Sequence, residues 1–106
     1  MKSKWRRYEV LLPARTNDGE TVPDEVLGEA VKEILREFGA VSAVPNSVKG
    51  YWQHGETLYR DDLGLLYIDV VDTTANRKWM KAFKARWKER LEQLEIWVVS
   101  YRIDIE

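Results

Sequence analysis

The sequence predicts an α+β domain of two layers, in which two helices pack on one face of a four-stranded antiparallel sheet. Four segments alternate apolar and polar residues with a period of two, as half-buried strands do. Two other segments repeat apolar residues at the three-and-four spacing of amphipathic helices. Their order along the 106 residues is strand, helix, strand, strand, helix, strand. This length fits one domain, residues 1–106.

The first strand and the first helix come from the first 40 residues. Residues 7–12 alternate, and Asn17-Asp18-Gly19 after them predicts a turn. A helix is expected to begin near Pro23, with the Thr21 hydroxyl as its cap and Gly39 as a left-handed C-cap. Its apolar stripe consists of Leu27, Ala30, Val31, Ile34, Leu35 and Phe38.

The middle of the chain predicts a hairpin of two strands. The second strand, from Ala40 to Gln53, is interrupted at Pro45, which indicates an edge position. The turn is placed at His54-Gly55-Glu56, and the third strand runs from about Leu58 to Val71. These two strands should be antiparallel neighbours.

The last third predicts a helix and a strand. Residues 72–74, Asp-Thr-Thr, supply cap residues for the helix. Its buried face is expected to hold Trp79, Met80, Phe83, Trp87, Leu91 and Leu94. In the final strand, from Ile96 to Ile105, the set that begins with Trp97 is assigned to the core, as is Trp52 in the second strand.

This order of elements is the split βαβ arrangement of the ferredoxin-like fold. Right-handed crossovers place both helices on one side of the sheet, and the expected spatial order of strands is fourth, first, third, second. Because each helix carries a single apolar stripe, the sheet is covered on one side only.

Composition excludes several classes of function. The chain has no cysteine, so thiolate metal sites and cysteine nucleophiles are absent, and a reducing cytoplasmic location is expected. The basic start, residues 1–7, is followed by a stretch broken at Glu9 and Pro13, too short for a signal peptide or a membrane span. A net charge of −1 disfavours nucleic acid as a partner, although a local basic patch leaves that alternative open.

The open face of the sheet, opposite the helices, is the main candidate for a functional surface. It is expected to mix apolar and charged side chains, a composition that suggests a protein partner. The candidate interface residues are Arg7, Glu9, Leu11, Tyr51, Leu65, Tyr67, Asp69, Val98 and Arg102, accompanied by Lys49, Val71 and Ile96. Homodimerisation through this face is the leading hypothesis. The alternatives are a solvated sheet with an ion pair between Glu9 and Arg102, and a small-ligand cavity.

The two helices carry opposite charge. Residues 24–37 have five acids against two bases, and residues 77–92 have seven bases against two acids. Attraction between neighbouring helices explains this pattern, with a modest energy for each exposed pair. The alternative is that the second helix meets an acidic partner, as an antitoxin-like or nucleic-acid-associated protein would. Its candidate contacts are Lys78, Lys81, Lys84 and Lys88.

The sequence predicts no catalytic residue, metal site or cofactor. His54 is the single histidine and lies in a turn signal, which favours a solvated position. Asp61 and Asp62 are neighbours in a strand and therefore point to opposite faces. A cofactor-independent enzyme or small-molecule sensor remains an alternative, with a pocket involving Tyr51, His54, Tyr67 or Arg102.

Several segments together carry a resemblance to known proteins. They are residues 8–13 (YEVLLP), 17–19 (NDG), 38–39 (FG), 50–52 (GYW), 72–73 with 76–77 (DT and NR) and 96–101 (IWVVSY). With these segments the chain resembles a group of small bacterial proteins of uncharacterised function. The resemblance implies a shared fold and no activity. At the level of the fold the chain is similar to dimeric α+β barrel and amino-acid-sensing regulatory domains.

Overall fold

A computed structural model describes residues 4–106, apart from the side chains of residues 46 and 47. The start of the chain at residues 1–3 therefore lies outside the described residues. The elements are β1 (Trp5–Pro13), α1 (Asp24–Phe38), β2 (Ser42–His54), β3 (Thr57–Val71), α2 (Thr74–Arg90) and β4 (Trp97–Ile103). The predicted order of elements is confirmed.

The sheet has the strand order β2-β3-β1-β4, and every neighbouring pair is antiparallel. This is the predicted spatial order. β2 lies at an edge and pairs with β3 in two stretches, with an irregularity between Val44 and Val48. The second strand therefore supplies two separate pairing segments, as the proline at position 45 indicated.

Both helices pack on the same side of the sheet. One cluster of buried side chains joins alternate residues of β1 and β3 to residues of α1 and α2 and to Ile96. Its other members are Tyr8, Val10, Leu12, Ala30, Ile34, Leu66, Ile68, Val70, Met80, Phe83 and Trp87. The chain thus forms the two-layer ferredoxin-like sandwich that its periodicities predict.

The helix ends show which capping predictions are correct. Gly39 has a φ of 81°, and its N–H donates to the carbonyl of Leu35 at 2.9 Å, as the C-cap prediction requires. Thr73 caps α2, because its hydroxyl accepts the N–H of Asn76 at 3.0 Å. The prediction for Thr21 is wrong, since α1 has no side-chain cap and Thr21 pairs with Arg15 in an isolated β-bridge.

Two assignments to the α2 face and the core are also wrong. α2 ends at Arg90, so Leu94 lies beyond the helix and is 98% exposed. Trp52 is exposed as well, on the part of the β2-β3 hairpin that extends past the rest of the sheet. Trp79 and Trp87 are in or against the core, as predicted.

The predicted faces of β4 are reversed in the structure. Val98 lies directly opposite Val10, which is buried beneath the helices, so Val98 packs against the core. Ile96 is buried, whereas Trp97 is exposed on the open face. Arg102 lies opposite Arg6, also on the helix side. Val98, Arg102 and Ile96 are therefore not part of the open face.

The predicted faces of the second strand are also reversed, because its register with β3 places Lys49 and Tyr51 on the helix side. Lys49 lies opposite Asp62 and Tyr51 opposite Arg60, on the side of the sheet that carries the helices. The open side of β2 carries Val48, Gly50 and Trp52 instead. Tyr51 and Lys49 are therefore not part of the open face, contrary to the prediction.

Candidate interaction surface

The open face is crossed by a row of apolar side chains that we call the apolar row. It consists of Trp97, Leu11, Leu65 and Val44, one from each strand, which are cross-strand neighbours in that order. Trp97 is 64% exposed and Val44 is 41% exposed. Leu11 and Leu65 were predicted on this face, and the structure places them there. The two central members are half-buried and the two outer ones exposed, and a partly exposed apolar band of this kind is typical of a surface that meets another molecule.

Beside the apolar row lies a group of paired charges, the central polar cluster, which consists of Arg7, Glu9, Asp69 and Tyr101. Arg7 donates two hydrogen bonds to Asp69, at 2.7 and 2.9 Å. Its guanidinium group also lies 4.8 Å from the ring centroid of Tyr67. Tyr101 donates to the carboxylate of Glu9. The predicted pair of Glu9 with Arg102 is absent, because Arg102 points to the opposite side of the sheet.

These contacts shift the pKa values of two members of the central polar cluster, Arg7 and Tyr101. The hydrogen bond to Asp69 raises the pKa of Arg7, so the guanidinium remains charged. The hydrogen bond to Glu9 raises the pKa of Tyr101, because an ionised phenol could not donate to a carboxylate. The cluster thus contains two hydrogen-bonded pairs, Arg7 with Asp69 and Tyr101 with Glu9.

An extension of the β2-β3 hairpin, residues 49–61, projects beyond the rest of the sheet, and we call it the arm. The last residue of β1, Pro13, pairs with Leu63, so the arm is a ribbon of two strands. Every residue from 51 to 61 is exposed. Trp52 and Tyr59 stack with a centroid distance of 4.2 Å on the side of the ribbon that continues the open face.

The residues proposed for an enzyme or sensor pocket do not come together. Tyr51 and His54 lie on the arm, Tyr67 lies under Arg7, and Arg102 is bonded to Asp72. Two shallow clefts, of about 190 and 240 Å³, lie near the loop after β1, away from the open face. Both are smaller than usual ligand pockets, which begin at about 300 Å³.

The described residues contain no group of three acidic or histidine side chains that could hold a metal ion. Asp61 and Asp62 diverge as predicted, with Asp61 accepting from the indole of Trp52 at 3.0 Å. Asp62 instead pairs with Lys49 at 2.7 Å and with Arg15 at 3.0 Å. These bonds hold the pKa of Asp62 far below its usual value. Asp62 therefore ties the base of the arm to the loop after β1.

The opposite charges of the two helices meet across their boundary. Arg86 pairs with Glu33 at 3.3 Å, and Arg90 pairs with Glu29. Glu33 also accepts the indole N–H of Trp87 at 2.9 Å. Attraction between the helices, the simpler explanation of the charge pattern, thus has direct contacts in the structure.

The four lysines proposed for an acidic partner differ in their surroundings. Lys84 pairs with Glu95 at 3.1 Å. Lys78, Lys81 and Lys88 form no ion pair with any residue that the structure describes. Neither helix in the described part of the chain is long and apolar enough to cross a membrane.

Comparison with solved structures supports the fold and extends over nearly the whole chain. CutA1 from Oryza sativa matches with a TM-score of 0.66 and 16% identity, over 99% of this chain and 84% of that one. A phage SAM lyase, solved in complex with S-methyl-5'-thioadenosine, matches with a TM-score of 0.70 and 13% identity, over 96% and 84%. At these identities the likeness establishes the α+β fold alone.

No protein-family model and no curated protein matches the chain. The resemblance to a group of small bacterial proteins therefore stays a prediction. Asp72, Arg6 and Arg77 were not among the residues singled out from sequence for a site, and Arg102 was singled out for the open face or a pocket instead.

Proposed function

We propose that the protein is an assembly module that forms a homodimer through the open face. The observation that carries this proposal is the apolar row, which crosses all four strands and leaves a tryptophan 64% exposed in the single chain. Aromatic residues are enriched at the centres of protein interfaces, where their large apolar area is removed from water.

A two-fold axis fits the distribution of side chains on this face. An axis parallel to the strands, between β1 and β3, places Trp97 over Val44 of the partner subunit, a large residue over a small one. The same rotation brings Arg7 over Asp69 of the partner subunit, so opposite charges face each other. With this axis, residues of opposite charge on the two copies would lie across from each other, which supports a symmetric interface.

The flat area of the four strands is somewhat smaller than one side of a small specific interface, and the arm and the relief of the side chains add to it. Four strands about 4.8 Å apart span roughly 15 Å, and the nine residues of β1 span roughly 30 Å, before the relief of the side chains is counted. The arm adds the stacked pair Trp52 and Tyr59 at one end of this area. The smaller specific interfaces bury about 600 Å² on each partner.

The arm supports the same proposal. An isolated hairpin of two strands is marginally stable in water, and this one exposes Trp52 and Tyr59 on the side that continues the open face. A second copy that packs against the aromatic side of the ribbon would supply the missing contacts.

The test is the mass of the protein in solution. Light scattering between 1 and 100 micromolar, an interval of the order of ordinary dimer affinities, should give twice the mass of one chain. Trp97→Arg should yield the monomer, because it places a charge within the apolar row, and Tyr67→Arg should do the same. Circular dichroism should show that both variants remain folded, since Trp97 is largely exposed within one chain.

The matched control is Leu35→Arg. Leu35 is 42% exposed on α1, in the opposite layer, so this variant adds the same charge without touching the open face. It should remain a dimer. A monomeric wild type at the highest concentration contradicts the proposal, as does equal dissociation of the Leu35 and Trp97 variants.

A small-molecule function is the second candidate, and its support is the likeness to the phage SAM lyase. Aromatic side chains on the open face could stack on a nucleoside of the kind present in that structure. Calorimetric titration with S-methyl-5'-thioadenosine tests it. Absence of heat at millimolar ligand contradicts binding of this nucleoside and leaves the assembly proposal unaffected.

A further inference from the structure

Three arginines converge on a single carboxylate at one end of the sheet. The Asp72 side chain accepts from Arg6 Nε at 2.9 Å, from Arg77 at 3.2 Å and from Arg102 Nε at 3.2 Å. Asp72 is only 10% exposed. Arg6 comes from β1, Arg77 from the first turns of α2 and Arg102 from β4, so three separate elements build the group, which we call the arginine trio.

The arginine trio carries more charge than Asp72 can balance. Three guanidinium groups around one carboxylate leave two positive charges in excess. Arg6 and Arg102 lie directly opposite each other on neighbouring strands, an arrangement that is destabilising for like charges. A single arginine would be enough to neutralise Asp72, so the other two need a different explanation.

The donors of the trio are only partly used by the described contacts. Arg77 and Arg102 each donate to Asp72 from one nitrogen, and their side chains are 50% and 46% exposed. Arg6 uses a further nitrogen on the hydroxyl of Ser100 at 3.0 Å. Each guanidinium group has five N–H donors, so Arg77 and Arg102 can offer several more to a ligand from solvent.

The surroundings add to the positive potential. α2 has no acidic residue in its first turn, and its positive dipole end begins just after Asp72. Lys78, the residue after Arg77, has no ion pair within the described part of the chain. An anion at this position therefore meets an excess of charge from the side chains and a smaller contribution from the helix.

We propose that the arginine trio binds a phosphate-class dianion, either inorganic phosphate or the phosphate group of a monoester. Two negative charges match the two in excess. Planar guanidinium forks pair with two phosphate oxygens at a time, and arginine is preferred where such bidentate recognition is needed. The site lies on the helix side of the sheet, so it does not depend on the proposed dimer.

The experiment is a titration of the full chain with inorganic phosphate and, separately, with glycerol 3-phosphate, both in chloride of matched ionic strength. Binding is followed by calorimetry and by the phosphorus NMR signal. Saturable binding of either probe is expected in the wild type. Arg77→Gln and Arg102→Gln should each weaken it by about tenfold, because each removes charged hydrogen bonds to the ligand.

Arg86→Gln is the matched control. Arg86 is 52% exposed on α2 and pairs with Glu33, so the variant loses the same charge at a distance from the trio. Phosphate also stabilises proteins by exclusion from their surface, but that effect is common to all variants. Absence of saturable binding to both probes overturns the proposal, and so does equal weakening by the Arg86 and Arg77 variants.

Asp72→Asn gives a second readout. This variant leaves the trio with three uncompensated charges, and phosphate should then bind more tightly than in the wild type. Weaker binding by a folded Asp72→Asn protein would contradict the proposal, because it would mean that the trio serves only to hold the aspartate.

Discussion

At the scale of single residues, Asp72 makes the stability of the fold depend on pH. Hydrogen bonds from Arg6, then from Arg102 and Arg77, lower its pKa from 3.8 to about 2. A carboxylate whose pKa is lower in the folded state stabilises the fold above its unfolded pKa, and this contribution is lost as the pH falls from about 4 to about 2. Asp72→Asn should therefore show a weaker loss of stability over that interval.

Denaturant unfolding of both proteins from pH 6 to pH 2, in buffers without phosphate, measures this difference. Other carboxylates such as Glu29 and Glu95 also have lowered pKa values, so the variant retains part of the pH dependence. Identical pH profiles for the two proteins would show that Asp72 does not contribute.

In β4 the prediction of the buried face failed because both alternating sets of the strand contain apolar residues. In β4 one set contains Ile96 and Val98 and the other contains Trp97 and Val99, so periodicity does not say which set is buried. The large apolar side chain of Trp97 favoured a position in the core. The register instead places Val98 opposite the buried Val10, so the set that contains Val98 faces the helices. Strand register depends on how the strands pack together, so it cannot be read from the alternation within one strand.

At the scale of elements, the Thr73 cap predicts a measurable stability effect. Thr73→Ala removes the hydroxyl that accepts the N–H of Asn76, and should lower the free energy of unfolding by about 1 kcal/mol. Denaturant unfolding gives the value. Thr74→Ala, one position later, is the control, because Thr74 is exposed and its side chain caps nothing in the described structure. Equal losses in the two variants would refute the role of Thr73.

The elements themselves were largely predictable. Local signals such as the caps at Thr73 and Gly39 act over a few residues, so they can be recognised in sequence, and both helices begin near the predicted residues. The ends of elements were less accurate, because Leu94 continues the helical spacing although α2 ends at Arg90. Spacing alone does not show where packing stops.

At the scale of the whole molecule, the proposed self-association predicts that the thermal midpoint depends on protein concentration. A dimer that dissociates on unfolding is stabilised by mass action, so the midpoint should rise between 1 and 100 micromolar, roughly the range where dimers of ordinary affinity dissociate. Trp97→Arg should abolish the rise while Leu35→Arg keeps it. Scanning calorimetry at several protein concentrations measures the midpoint. A wild-type midpoint that does not change with concentration would contradict the prediction.

The topology of the sheet was predictable from the order of elements, and the arginine trio was not. Arg6 and Asp72 are 66 positions apart, and Arg102 is another 30 positions further along the chain. No local pattern marks such a group, whose members meet only when β1, α2 and β4 are assembled. The open face was predicted for Arg7, Glu9, Leu11, Leu65, Tyr67 and Asp69, which come from the two central strands.

The interruption of β2 has a further consequence for how copies can associate. A regular outer strand offers a row of free backbone donors and acceptors, which another chain can extend into a fibril. Pro45 and the shift between Val44 and Val48 break that row on the outer strand. Growth of an endless sheet through this border is therefore hindered, which protects the molecule from amyloid-like stacking there.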